Sequence, residues 1–179
     1  MRSNLINMRR LTAFLSFAFI FALVAASSAA AQTQAFTNDS IEYALDLPSA
    51  TWRAIAQPDG VHRHAEFIYG DRSDGLLRIR KEVVEAGTTP KDLARFDQEQ
   101  KLHYLPGYVE GKEESFTGRL NGVTISYEYT EAGKAMVGRT YYLQADNRTI
   151  YTLRFTGLRD KLARIRNQTD LIARSFHLK

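Results

Sequence analysis

The sequence predicts an α+β protein, with an antiparallel β-sheet of about six to eight strands flanked by two main helices. Three observations predict it. Short segments alternate apolar and polar side chains with a period of two. The connections between them are of hairpin length, which forces antiparallel neighbours. Two segments of helical period interrupt and close the series.

In chain order, residues 1–31 read as a secretory signal peptide. Arg2, Arg9 and Arg10 make a basic start, Leu11 to Ala26 carry no charge, and small residues end in Ala29-Ala30-Ala31 before Gln32. The apolar stretch is short and has no stop-transfer charges after it, so it does not read as a membrane anchor. Residues 32–38 read as a flexible polar leader, and residues 39–179 as a single domain of ordinary size.

Ile41, Tyr43, Leu45 and Leu47 alternate with Glu42, Ala44 and Asp46, a strand with one buried face. Pro48 breaks it. Trp52 to Gln57, His62 to Tyr69 and Leu76 to Val84 are expected as three further strands, with Gly70 to Gly75 as the loop between the last two. Thr89-Pro90 with Asp92 in the first turn starts a helix expected to run to Leu105, where Pro106-Gly107 ends it. Four strands follow, over 108–116, 123–130, 135–145 and 149–155, with Asn121-Gly122 and Asp146-Asn147 as turn pairs. Leu158, Leu162, Ile165, Thr169, Ile172 and Phe176 then fall on one face of a closing helix. The two helices lie either on opposite faces of the sheet or side by side.

Composition narrows the partners. The whole chain has 24 Lys+Arg against 20 Asp+Glu, a net charge of +4. Three of those arginines lie in residues 1–31 with no acid beside them, so the remainder is close to neutral and carries no nucleic-acid signal. The chain has no Cys. That excludes disulfides and leaves no attachment point for a bacterial lipid anchor. A soluble periplasmic or secreted protein is therefore expected.

An aromatic strand Arg139-Thr140-Tyr141-Tyr142-Leu143, a tight turn, the strand Thr149 to Phe155, an amphipathic helix and a closing Ala173-Arg174-Ser175-Phe176 stand in that order. Near the start, Tyr43-Ala44-Leu45-Asp46-Leu47-Pro48 precedes Trp52. This pattern resembles the PsbP-like superfamily over most of residues 41–178. The resemblance implies an antiparallel sheet with flanking helices and non-enzymatic work: extrinsic photosystem subunits, a nuclear-import relative that binds a small GTPase, and exported bacterial members. The chain departs from the lipoproteins among these by lacking their Cys.

Four groups of residues are candidates for chemistry. His62, His64 and Glu66 alternate along one strand and could hold a divalent metal with a fourth ligand from elsewhere, against a solvated outer face as the simpler alternative. Arg78 and Arg80, with Arg159, Arg164 and Arg166 on the last helix, could form a surface for an anion or an acidic partner. Interspersed acids such as Asp160 and Asp170 argue for screening instead. Asp71-Arg72-Ser73-Asp74-Gly75 resembles a calcium loop faintly but lacks the downstream bidentate Glu, and reads as a turn. Tyr104, Tyr108, Phe116, Tyr127, Tyr129, Tyr141, Tyr142, Tyr151 and Phe155 could line an apolar pocket or fill the core.

No G-x-S-x-G, H-E-x-x-H or phosphate-binding glycine loop occurs, and there is no Cys nucleophile. The sequence thus points to a non-enzymatic accessory or protein-interaction module of a bacterial envelope, with no cofactor. Its partner would be an envelope protein. The alternative is a periplasmic carrier of a small apolar or lipid ligand.

Overall fold

The computed structural model describes residues 33–56 and 65–179. Among the described residues ten strands form two antiparallel sheets. Strands β2 (Tyr43–Leu47), β1 (Gln34–Thr37) and β10 (His177–Leu178) make the small one, with β2 in the centre. The large sheet has seven strands in the order β3 (Trp52–Ala56), β4 (Glu66–Tyr69), β5 (Asp71–Val83), β9 (Thr149–Leu158), β8 (Lys134–Gln144), β7 (Gly122–Glu131) and β6 (Val109–Phe116). The long neighbour β5–β9 joins residues far apart in sequence and stitches the two halves of the chain together, with Ile79 opposite Leu153 and Leu77 opposite Phe155.

Among the described residues three α-helices accompany the sheets: α1 (Pro90–Gln100), α2 (Arg159–Arg164) and α3 (Arg166–Ser175). They lie on opposite faces of the large sheet, which decides the alternative the sequence leaves open. Ala94 of α1 packs with Leu102, Ile125, Tyr127, Tyr142 and Ile150. Leu162, Ile165, Ile172 and Ala173 pack with Tyr141, Tyr151, Leu153 and Phe155 on the other side. The same side receives Tyr43, Leu45 and Leu47 of the small sheet.

Helix α1 begins as its sequence dictates. The Thr89 hydroxyl accepts from the Asp92 backbone N–H at 3.2 Å, and the Asp92 carboxylate accepts from the Thr89 N–H at 3.0 Å, a reciprocal capping box. It ends earlier than expected, at Gln100, and a single 3₁₀ turn over Leu102–Tyr104 leads to Pro106. The closing helix is also divided, at Ile165 (φ −106°, ψ 14°), although neither Gly nor Pro stands there. Ile165 turns inward at this break and seats its Cδ1 on Gly75, 3.0 Å from where a Cβ would lie.

Two expectations are corrected. Gln34–Thr37, read as part of a flexible leader, pair with β2 from Gln34 opposite Leu47 to Thr37 opposite Ala44. Phe36 inserts its ring edge-on against Phe67, 4.7 Å between centroids, and that burial repays the ordering of a polar segment. Residues 71–75, read as a loop, belong to β5. The turn is confined to Gly70, whose φ of +64° glycine alone tolerates cheaply. The surplus residues leave the ladder as an irregularity between Tyr69 opposite Asp71 and Ile68 opposite Leu76.

Strand β6 is exposed along most of its length and highly charged, the form that protects an open edge from pairing with another chain. Trp52 sits at the other end of the sheet, 1% exposed, with Nε1 donating to Gln168 Oε1 at 2.9 Å.

Tyr127 lies flat over Gly138, its partner on β8; a Cβ on Gly138 would be 2.1 Å from the Tyr127 ring. Replacing Gly138→Val therefore forces that ring out of the core. The expected cost is about 2 kcal/mol, the usual scale for overpacking, read as a lower urea midpoint at unchanged slope.

Candidate binding surfaces

Strand parity distributes the polar side chains. On β5, Leu77 and Ile79 face α2 and α3, so Arg78, Arg80 and Glu82 face the α1 side. Arg154 and Thr152 of β9 share that side, with Arg78 directly opposite Arg154 and Arg80 opposite Thr152. Helix α1 delivers Asp97 to the same place. Asp97 is 3% exposed and accepts from Arg154 at 2.9 Å, Tyr142 at 3.1 Å and Lys101 at 2.5 Å. Arg78, Arg80, Glu82, Asp97, Lys101, Thr152 and Arg154 enclose a small pocket of about 60 Å³.

A second surface lies between α2, α3 and the outer strands. Lys112, Glu114, Glu128, Arg139, Arg159 and Arg166 rim a groove of about 280 Å³ whose floor includes Val137, Leu162 and Ala163. Each of its arginines has a carboxylate: Arg159 pairs with Glu128 at 2.5 Å, Arg166 with Glu114 at 3.7 Å, and Arg139 with Asp170 at 3.1 Å. Tyr141 ties this wall together, accepting from Arg139 Nε at 2.7 Å and donating to Asp170 at 2.5 Å.

A third cleft, of about 710 Å³, opens where residues 39–43 pass the end of β5. Ile41, Tyr43, Val83 and Tyr151 supply its apolar part, and Glu42, Arg80, Lys81 and Glu82 its charges. Glu42 accepts from both Tyr151 and Lys81 at 2.5 Å.

The fold divides the arginines that the sequence groups together. Arg78 and Arg80 are on the α1 side, while Arg159, Arg164 and Arg166 are on the helices of the other side. Among the described residues Arg164 pairs with exposed Asp160 alone, at 3.9 Å, an arrangement worth little. Of the three residues considered for a metal, His62 and His64 lie outside the described residues. Glu66 is engaged by Arg78 at 2.9 Å and Arg72 at 3.6 Å. Among the described residues no cluster of three metal-ligating side chains occurs. The aromatic residues divide as well. Phe116, Tyr141, Tyr151 and Phe155 belong to one core, Tyr127 and Tyr142 to the other, and Tyr104 is 74% exposed, so no single pocket collects them. Ring pairs such as Tyr141–Phe155 at 5.7 Å and Trp52–Phe155 at 6.0 Å fill the larger core.

Asp97, Lys101 and Arg154 are the residues that reading the sequence misses. The i, i+4 spacing of Asp97 and Lys101 was a legible signal. Arg154 between Thr152 and Thr156 was a second, since three polar residues on one face of a central strand need a buried partner.

No protein-family model matches the chain, and no curated protein does. Solved structures do. LpqN of Mycobacterium tuberculosis, described as involved in cell envelope biogenesis, is 16% identical, with a TM-score of 0.56 over 83% of this chain and 92% of that one. Cyanobacterial PsbP from Synechocystis sp. PCC 6803 is 15% identical, with a TM-score of 0.56 over 86% of this chain and 96% of that one. The fold is PsbP-like. A Pseudomonas aeruginosa protein of unknown function shares it at 11% identity, with a TM-score of 0.53 over 83% of this chain and 98% of that one. At these identities the likeness is one of fold, and the side chains of the PsbP-like sheet must be argued on their own.

Two predictions come from these buried polar groups. Replacing Asp97→Ala leaves the Arg154 guanidinium without its carboxylate under α1. The expected loss is about 3 kcal/mol, the lower end for breaking a buried ion pair because Arg154 keeps some solvent contact; thermal or urea unfolding measures it. The second concerns alkali. Burial pushes the Tyr43 and Tyr129 phenols up to about 12, and burial with the Asp97 charge beside it pushes Tyr142 higher still. The fold thus favours the neutral phenols. Their contribution is complete below the unfolded value near 10 and is lost as pH climbs through the folded values. Stability should fall steadily above about pH 10, with the tyrosinate absorbance of the buried rings rising together with loss of near-UV circular dichroism, not before it.

Proposed function

We propose that this chain is an exported accessory module of a bacterial envelope that works by binding another envelope protein and not by catalysis. The observation that carries the reading is the likeness in fold, over 83% of this chain, to LpqN, a protein described as involved in cell envelope biogenesis, together with a leader that reads as a signal peptide. Among the described residues no helix is long and apolar enough to cross a membrane, in keeping with a body that meets its partner through a surface.

The groove between α2 and the outer strands is the surface best suited to a protein. Its floor of Val137, Leu162 and Ala163 is apolar and its rim of Arg139, Arg159 and Arg166 is charged, the arrangement of a small interface core inside a polar rim. Arginine held by a carboxylate is pre-organised for a further bidentate contact.

A second reading, a carrier of a small ligand, is favoured by the 710 Å³ cleft, whose size is in the range of small-molecule sites. Native mass spectrometry of protein taken from its own envelope separates the two. A bound small molecule supports the carrier, and protein free of one supports the module.

The direct test is crosslinking in intact cells of the native host. The module reading expects a discrete higher-mass adduct that disappears when Arg166→Glu reverses charge on the groove rim and persists when Arg164→Glu does so outside it. Monomer alone, or an adduct indifferent to Arg166, overturns the reading.

A further inference from the structure

We propose that the pocket beside α1 binds a small oxyanion, either free phosphate or the phosphomonoester end of a larger ligand lying in the adjoining cleft. This is independent of the interaction-module reading, because the oxyanion pocket lies on the opposite face of the large sheet from the groove.

Arg78 and Arg154 stand directly opposite each other on neighbouring strands, a like-charge pairing that by itself destabilises a sheet. Glu66 answers Arg78 and Asp97 answers Arg154, each at 2.9 Å. Lys101 shares Asp97, so one buried carboxylate serves two cations. Arg80 forms no ion pair with any described residue, and the buried Nε of Arg154 has no acceptor among them. Glu82, two residues along the strand from Arg80, also lines the pocket and offsets part of the charge. Even with it, four cations face three carboxylates.

Donors are in surplus in the same place. Arg80 offers a whole guanidinium, Arg154 an unused N–H, and Thr152 a hydroxyl, around a space of about 60 Å³. That is about twice the volume a water molecule occupies in the liquid, room for one tetrahedral oxyanion and too little for a nucleotide. Guanidinium forks match such an anion in a bidentate manner. An anion here would relieve the Arg78–Arg154 repulsion and occupy the donors that the fold leaves over.

The pocket does not end blindly. Arg80 and Glu82 also line the 710 Å³ cleft, where exposed Val83 presents apolar surface beside the edges of Tyr43 and Tyr151. A ligand with its phosphate on Arg80 could rest its body there.

The test is calorimetric titration of the folded chain with inorganic phosphate, with ionic strength held constant by chloride. Saturable binding is expected. Arg80→Gln, an exposed and unpaired position that the fold does not need, should weaken it about tenfold, the loss of one charge-assisted contact. Arg159→Gln on the other face should leave it unchanged. Glycerol phosphate binding more tightly than phosphate would support a ligand body in the cleft, and equal binding would support free phosphate. A response that fails to saturate, that chloride reproduces, or that Arg80→Gln leaves intact overturns the proposal.

Discussion

Tyr141 and Tyr142 are consecutive on β8, point to opposite sides of the large sheet and are both closed to solvent. A pleated strand permits this only where the sheet has cover on two sides, and the β8–β9 hairpin at its centre meets that condition along most of its length. The other elements answer the demand unequally. On the Tyr141 side, α2, α3 and the small sheet join in one large aromatic core. On the Tyr142 side a single helix seats a smaller core, and its contact is completed by an ionic network about Asp97 and not by apolar packing alone. The two sides therefore differ in kind: the first is held by area removed from water, the second by a few geometrically exacting bonds.

This asymmetry explains what was legible in the sequence. Period-two alternation marks one buried face, so the strands at 43–47 and 122–131 could be read from Tyr43, Leu45, Leu47 and from Val123, Ile125, Tyr127. The Thr89-Pro90-Asp92 start of α1 was equally plain, because a capping box is local chemistry. What escaped was set by distant neighbours. Gln34–Thr37 is a strand because β2 offers an edge and Phe67 offers a ring to Phe36, neither of which is encoded in those residues. The bend at Ile165 answers to Gly75, ninety residues earlier in the chain and beneath the helix only once folded. Of the candidate residues, the arginines grouped in the sequence as one possible anion or partner surface are separated by the fold: parity placed Arg78 and Arg80 on one face and the helices carried Arg159 and Arg166 to the other. Chain order alone cannot convey that separation.

Glycine marks where a ring or a neighbouring strand comes closest to the backbone. Tyr127 covers Gly138, and Gly122 leaves so little room that a Cβ would collide with the Tyr142 carbonyl. Gly138 lets the Tyr127 ring lie flat on a strand, and on the same β8 the Tyr142 and Tyr141 hydroxyls reach Asp97 and Asp170. The rings supply area and the hydroxyls supply register, and both are lost together if the backbone is pushed away.

Dimensions then decide where such a molecule can be used. Seven strands spaced by about 4.8 Å make a sheet close to 30 Å wide, whereas a helix with its side chains is about 10 Å across. One helix on the Tyr142 side must stop short of the far strands, and α1 packs over β7 and β8. The strand just beyond its reach, β5, consequently turns Arg78, Arg80 and Glu82 to that side, while its reverse keeps Leu77 and Ile79 in the core. Arg154 stands at the boundary, half under α1 and half at the margin, which is why it needs Asp97 and still retains an unused donor. Surplus positive charge at the edge of a helix that cannot extend further is thus a consequence of how this sheet is covered. A site that binds an anion there costs the fold nothing that its geometry had not already imposed.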